Sequence, residues 1–123
     1  MTLIEAIHRI DTVKPNGCAQ GEKIRWLSVL DGIVYTEIIE PRVGGERESF
    51  TAYGEETPQT KPLLIPHPYD EIYVRWLEAQ IDYACGEYGK YNNSITAFNA
   101  AFAAFERYYN QSHPMKPCAF RHY

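Results

Sequence analysis

Tyr69-Asp-Glu-Ile-Tyr-Val-Arg-Trp-Leu-Glu-Ala-Gln-Ile-Asp-Tyr-Ala-Cys-Gly-Glu-Tyr88, followed after three intervening residues by Asn92-Asn-Ser-Ile-Thr-Ala-Phe-Asn-Ala-Ala-Phe-Ala-Ala-Phe-Glu-Arg-Tyr-Tyr109, decides how this chain folds. In the first stretch the apolar side chains fall on two helical faces. One carries Tyr69, Ile72, Tyr73, Trp76 and Tyr83; the other carries Leu77, Ile81, Ala84 and Tyr88. In the second, Ile95, Phe98, Phe102, Phe105 and Tyr109 alternate steps of three and four, a heptad-like seam. Ala97, Ala100, Ala101 and Ala104 add a small-residue face that admits a close neighbour. The seam falls short of the about three to four heptads of a free-standing coiled coil. The pattern therefore predicts an antiparallel helical hairpin over 69–110. Gly86 and Gly89 loosen the end of its first helix, and Asn92-Asn93-Ser94 offer N-cap side chains for its second. Pro66-His-Pro68 predicts an extended lead-in, because residues before proline avoid the helical region. Pro114 closes the hairpin and leaves 111–123 as a tail.

Working back toward the N-terminus, Thr2 and Glu5 fit a capping box ahead of a stripe formed by Leu3, Ile7 and Ile10. Pro15-Asn16-Gly17 stops that helix, so it covers about 2–13. A second helix is predicted from Gln20 to about Glu40, where Ile24, Leu27, Leu30, Val34 and Ile38 repeat at helical steps and Trp26 and Ile33 widen the face. Gly32 weakens it, and the β-rich run Ile33–Ile39 leaves a strand open for its second half. Residues 41–68 then change character: five of eight prolines fall there, with two short strand-like pieces, Ser49–Tyr53 and Leu63–Ile65. The expected fold is mainly α in a single domain, 1–123. It has a four-helix body (helices in 2–40 and the 69–110 hairpin) and a long proline-rich connection, 41–68, with room for a short β element.

Composition narrows the function. Ten Tyr, five Phe and two Trp argue against a disordered chain. A net charge of −4 disfavours a general nucleic-acid binder, which carries a basic excess. No apolar run approaches the about 20 residues that span a bilayer, so no membrane partner is expected. Residues 1–9 lack the pattern of a secretory signal, and three scattered cysteines cannot build a disulfide framework, which points to a reducing cytosol.

The candidate chemistry is thin. His113, Cys118 and His122, with His67 or Cys85, form one loose string without the second ligand pair that zinc sites use. Cys18, Cys85 and Cys118 have no local nucleophile signature. Asp70, Glu71, Glu78, Asp82 and Glu87 read most simply as a solvated acidic face. The single E-x-x-H string, Glu5 to His8, lacks the second copy of a di-iron bundle. No catalytic, metal or cofactor site is expected. Charge is uneven: 37–56 holds six glutamates against two arginines, while no acid follows Glu106. Such asymmetry suits head-to-tail pairing of copies, and equally fits ordinary surface scatter.

Several pieces together resemble a family of small structural proteins of tailed bacteriophages and prophages. They are Leu3-Ile-Glu-Ala-Ile with Ile10-Asp11 and Lys14-Pro-Asn16; Lys23-Ile-Arg-Trp-Leu-Ser28 with Leu30-Asp-Gly32; and Leu63-Leu-Ile-Pro66. To these add Pro68-Tyr-Asp-Glu-Ile-Tyr73; Ala79-Gln-Ile-Asp82; Gly86-Glu-Tyr88; and Tyr91-Asn-Asn-Ser94 with Phe98-Asn99. The resemblance covers most of the chain and is to head–tail connector, or head-completion, proteins. It implies a homo-oligomeric ring, commonly a dodecamer, at the head–tail junction of the virion, assembled in the host cytoplasm. The ring would lie beneath the portal protein and meet the tail or a second connector protein. It implies no enzyme, no cofactor and no sequence-specific nucleic acid. Residues 42–61 match no part of that pattern. Trp26, Tyr53, Tyr73, Trp76 and Tyr109 are the expected aromatic anchors, of the core or of an interface. Two other readings are a small helical metal-dependent enzyme subunit and a phage-encoded regulator that binds a host protein through 41–68.

Overall fold

Thr2 and Glu5 do close a capping box at the start of α1 (Leu3–Val13). The Glu5 amide donates to Thr2 Oγ1 at 3.3 Å, and the Thr2 amide donates to Glu5 Oε1 at 2.7 Å. In this computed structural model, which describes residues 1–42 and 49–115, three further helices follow. They are α2 (Gln20–Val34), which runs on into a π-helical turn at Tyr35–Ile39, α3 (Glu71–Ala84) and α4 (Tyr88–Ser112). The β-rich run after Ile33 is helical. Val34 and Ile38 lie one turn apart and are both fully buried, so helical spacing satisfies the core where a strand would turn one of every two side chains outward.

α3 is the centre of the molecule, packing against each of the other three helices. Arg9–Glu71 and Lys14–Asp82 ion pairs run α1 parallel to it. Trp76 donates its indole N–H to the Trp26 carbonyl at 2.8 Å, and Tyr73 bonds Asp31, which runs α2 antiparallel. The Trp76–Phe98 and Tyr69–Phe105 ring contacts, at 4.9 and 5.8 Å, do the same for α4. The expected C-terminal antiparallel hairpin is therefore present as α3 and α4. Its centre buries Ile72, Tyr73, Leu77 and Ile81 against Leu3, Ile7, Leu27, Leu30, Phe98 and Phe105. Each large apolar side chain so buried contributes about 1.5–3 kcal/mol.

Two expectations at the ends of the hairpin need correction. Pro66-His-Pro68 is not an extended lead-in: Tyr69 N–H donates to the Pro66 carbonyl at 2.9 Å across a turn with a cis His67–Pro68 bond. Nor do Asn92, Asn93 and Ser94 cap the last helix, because α4 has already begun at Tyr88. The reversal is completed earlier, by a Schellman motif at Gly86. Gly86 N–H donates to Tyr83 O at 3.0 Å and Glu87 N–H to Asp82 O at 2.9 Å, with Gly86 at φ +75°. A side chain is strained at that φ. Gly86→Ala is expected to lower stability by about 1–2 kcal/mol, readable as a lower urea midpoint at unchanged slope.

The connection between the helical pairs contains no strand among the described residues. The short β element allowed there reduces to isolated bridges, Thr2 with Pro62 and Arg42 with Met115. Its backbone does different work, accepting from the free first amides of α1: Leu3 N–H reaches Lys61 O at 2.9 Å and Ile4 N–H reaches Gln59 O at 3.0 Å. Leu63 and Ile65 then enter the core. The segment is tied to the body along 49–65 and is not a free arm there.

Candidate interaction surfaces

The side chains suspected of chemistry are occupied otherwise. Glu5 belongs to the capping box, and His8 is exposed. His67 is 86% exposed and lies 3.5 Å from Asp70. His113 stacks on Tyr109 with ring centroids 3.9 Å apart. Cys118 and His122 lie outside the described residues. Among the described residues no three His, Cys, Asp or Glu side chains gather as a metal site would require. Burial pushes the Cys18 thiol up in pKa, away from nucleophilic reactivity. No helix among the described residues is long and apolar enough to cross a membrane.

The acidic face divides, and here the sequence reading is corrected. Glu71 is on the surface with Arg9, but Asp82 is only 1% exposed. Its Oδ2 accepts from Ser94 Oγ at 2.5 Å, and Lys14 Nζ sits 2.7 Å from Oδ1, which no other donor among the described residues reaches. Lys14 comes from the segment after α1, so the pair holds that segment onto the hairpin. Periodicity could not reveal this, because position 82 shares a helix flank with Glu78, which is only half-buried.

A second buried carboxylate, Asp31, carries more of the structure. Its Oδ1 accepts from the Tyr73 hydroxyl at 2.6 Å. Its Oδ2 accepts from the Tyr53 hydroxyl at 2.6 Å and from the Leu64 amide at 3.1 Å. The Tyr73 oxygen in turn accepts from the Ile65 amide at 2.7 Å. One carboxylate thus ties α2, α3 and two parts of the connection together, and every polar atom finds a partner in the dry interior. Burial raises the pKa of Asp31, against the opposing pull of its three donors. Both phenols are raised as well, first by burial and then by the neighbouring carboxylate, so neither loses a proton at neutral pH.

A carboxyl group with a raised folded-state pKa favours folding in its protonated form. Its contribution is complete below the unfolded pKa of about 3.9 and declines as pH rises through the folded value. Asp31→Asn removes that titration. The carboxamide oxygen accepts from Tyr53 and Leu64, while its NH₂ faces Tyr73 and leaves the Tyr73 proton without an acceptor. Stability measured between about pH 4 and 7 is therefore expected to fall less for Asp31→Asn than for wild type. Parallel curves would mean that Asp31 titrates alike in the folded and unfolded chain.

The five expected anchors separate into two groups. Trp26, Tyr53 and Tyr73 are buried within the monomer. Trp76 and Tyr109 are half-buried and pack against the same core. None of the five stands free at the surface. The exposed aromatics are others, and periodicity had placed two of them, Tyr83 and Tyr88, on apolar faces. They are 58% and 59% exposed, and with half-buried Tyr91 they form a cluster at the tip of the hairpin. Tyr83 meets Tyr88 at 5.4 Å and Tyr91 at 5.2 Å, both edge-to-face. Tyr83 thus braces the other two rings at the turn between α3 and α4.

A concave patch lies elsewhere, on the outer face of α2. Val29, Ile33 and Phe50 line a groove of about 560 Å³, with Arg25 at one end, Glu37 at the other and Ser28 and Thr36 among its walls. Phe50 is held over the helix by its edge contact with Tyr53 at 5.4 Å, so the Asp31 cluster indirectly shapes this groove. Val29 is 45% exposed. No family model, curated protein or solved structure matches this chain.

Proposed function

We propose that this protein is a virion assembly protein, a head–tail connector subunit whose copies form a ring that links the portal to the tail. The observation that carries this reading is the tyrosine tip: a helical body with a well-packed core still leaves Tyr83 and Tyr88 in solvent, with half-buried Tyr91 packed on Tyr83. Tyrosines in such clusters dominate protein–protein contacts, since each offers large rigid area with few rotamers to lose. The sequence resemblance supports the same reading. The connection supports it less directly, for it is pinned to the body and so provides a fixed surface.

The test mixes the purified chain with portal rings and examines them by native mass measurement and negative-stain imaging. A stoichiometric second ring on the portal is the expected result. A chain that leaves portal rings bare at high concentration would overturn the proposal. A monomer in the absence of portal rings does not bear on it, because a net charge of −4 per copy opposes a free ring.

A further inference from the structure

Cys18 and Cys85 are 67 residues apart in the chain, yet they lie at the same end of the parallel α1–α3 pair. The Arg9–Glu71 and Lys14–Asp82 ion pairs set α1 alongside α3 in one register. Cys18 follows Lys14 by four residues and Cys85 follows Asp82 by three, so the two thiols leave the pair together. Neither is inside a helix: Cys18 belongs to the link between α1 and α2, and Cys85 caps α3. Asn16 fixes that link, for its Oδ1 accepts from the Cys18 amide at 3.0 Å and its Nδ2 donates to the Lys14 carbonyl at 2.9 Å. Cys18 packs against the core, while Cys85 is exposed. Burial is the first cause of the raised Cys18 pKa, and the second is the charge of a Cys85 thiolate, which outweighs Lys23, Glu22 and Asp11 there. Coulomb interactions fall with distance, so the second sulfur is a near neighbour of the first. Each cysteine also has a glycine beside it, Gly17 and Gly86, and a Cβ at either would meet nothing within 4 Å. Both turns thus have open room for the adjustment that a disulfide's geometry asks of its two ends.

We propose that Cys18 and Cys85 are a redox-responsive pair, free thiols in a reducing compartment and joined as a disulfide when a low-molecular-weight disulfide is present. The pair acts on the single chain, whether or not copies form a ring. Cys85 reacts first, because it is exposed and Cys18 is shielded. Its thiolate attacks one sulfur of the small disulfide, forming a mixed disulfide and releasing one small thiol. Cys18 then gives its proton to water and attacks the Cys85 sulfur, which forms the Cys18–Cys85 bond and expels the second small thiol. The protein loses two protons and two electrons, and one small disulfide becomes two thiols. The new bond pins the α1–α2 link to the chain reversal at Gly86, between Tyr83 and Tyr88 of the tip. A thiol reductant reverses both steps.

Peptide mapping of the whole chain tests this. The protein is reduced, freed of reductant, exposed to oxidised glutathione, alkylated and digested without further reduction. The expected product is the Cys18 peptide joined to the Cys85 peptide, in at least about tenfold excess over any link to Cys118. The same treatment in concentrated urea is the control. Cys85 and Cys118 are only 33 residues apart. In the unfolded chain, loop closure should therefore favour their link over Cys18–Cys85 by about threefold. Cys118→Ser should leave the native link unchanged. Four results would each overturn the proposal: thiols that stay free, glutathione retained on Cys85, native links distributed as they are in urea, or a Cys18–Cys85 link that is lost in Cys118→Ser.

Discussion

Tyr73→Phe is expected to lower stability by about 2–4 kcal/mol, seen as a reduced urea midpoint with unchanged slope. The ring stays, so no cavity forms and packing changes little. What goes is one hydroxyl at a fully buried site, and it leaves two groups without partners. Asp31 Oδ1 loses its only donor among the described residues, and the Ile65 amide loses its acceptor. A hydrogen bond to a charged group is worth about 1.5–3 kcal/mol, and an orphaned buried amide adds about 1–3. Tyr53→Phe is the control. Asp31 Oδ2 keeps the Leu64 amide, and no backbone donor depends on the Tyr53 hydroxyl. Its cost should be roughly half as large. Equal costs would show that the four-way network does not act through Tyr73 as drawn. The change also reaches the surface, because Asp31 and Tyr53 hold Phe50 at the groove.

Lys14→Ala is expected to cost about 2–4 kcal/mol, slightly below the about 3–5 that follows breaking a fully buried pair. Asp82 is almost wholly buried, but Lys14 is 21% exposed along its side chain, so water softens the loss. The double variant Lys14→Met/Asp82→Leu should recover most of it. Ser94 keeps the Lys90 carbonyl as acceptor at 2.9 Å, and the charge that needed a partner is gone. A double variant as unstable as the single one would mean that Lys14 acts through packing alone. The pH dependence has a definite sign. Its bond to Asp82 raises the pKa of Lys14. The stability due to the pair is complete below the unfolded lysine value of about 10.4 and disappears as pH rises through the higher folded value. The difference between wild type and Lys14→Met should therefore hold through neutrality and shrink only in strong alkali.

The two patches were legible to different degrees. Tyr83 and Tyr88 stand out in the sequence as rings near a glycine-marked turn, but periodicity alone assigns them to apolar faces. Whether a ring at a helix end is covered depends on what lies opposite, and Tyr83 and Tyr88 flank the chain reversal at Gly86, where both are exposed. Trp26 and Tyr73 show the converse. They read equally well as core or interface, and only the antiparallel placement of α2 on α3 encloses them. Asp31 gave no local signal beyond its place in Leu30-Asp-Gly32, for its partners are 22, 33 and 42 residues distant in the chain.

Helical periods, the Thr2–Glu5 cap and the breaks at Pro15, Gly17 and Pro41 were enough to place α1 and α2 and to predict the α3–α4 hairpin. These are properties of neighbours a few residues apart, and local backbone chemistry enforces them. Tertiary structure alone decided that Asp31 and Asp82 are buried and partnered, that the proline-rich connection is tied to α1, and that the unburied rings lie at the hairpin tip. Burial is a relation between distant segments, so no window of sequence contains it.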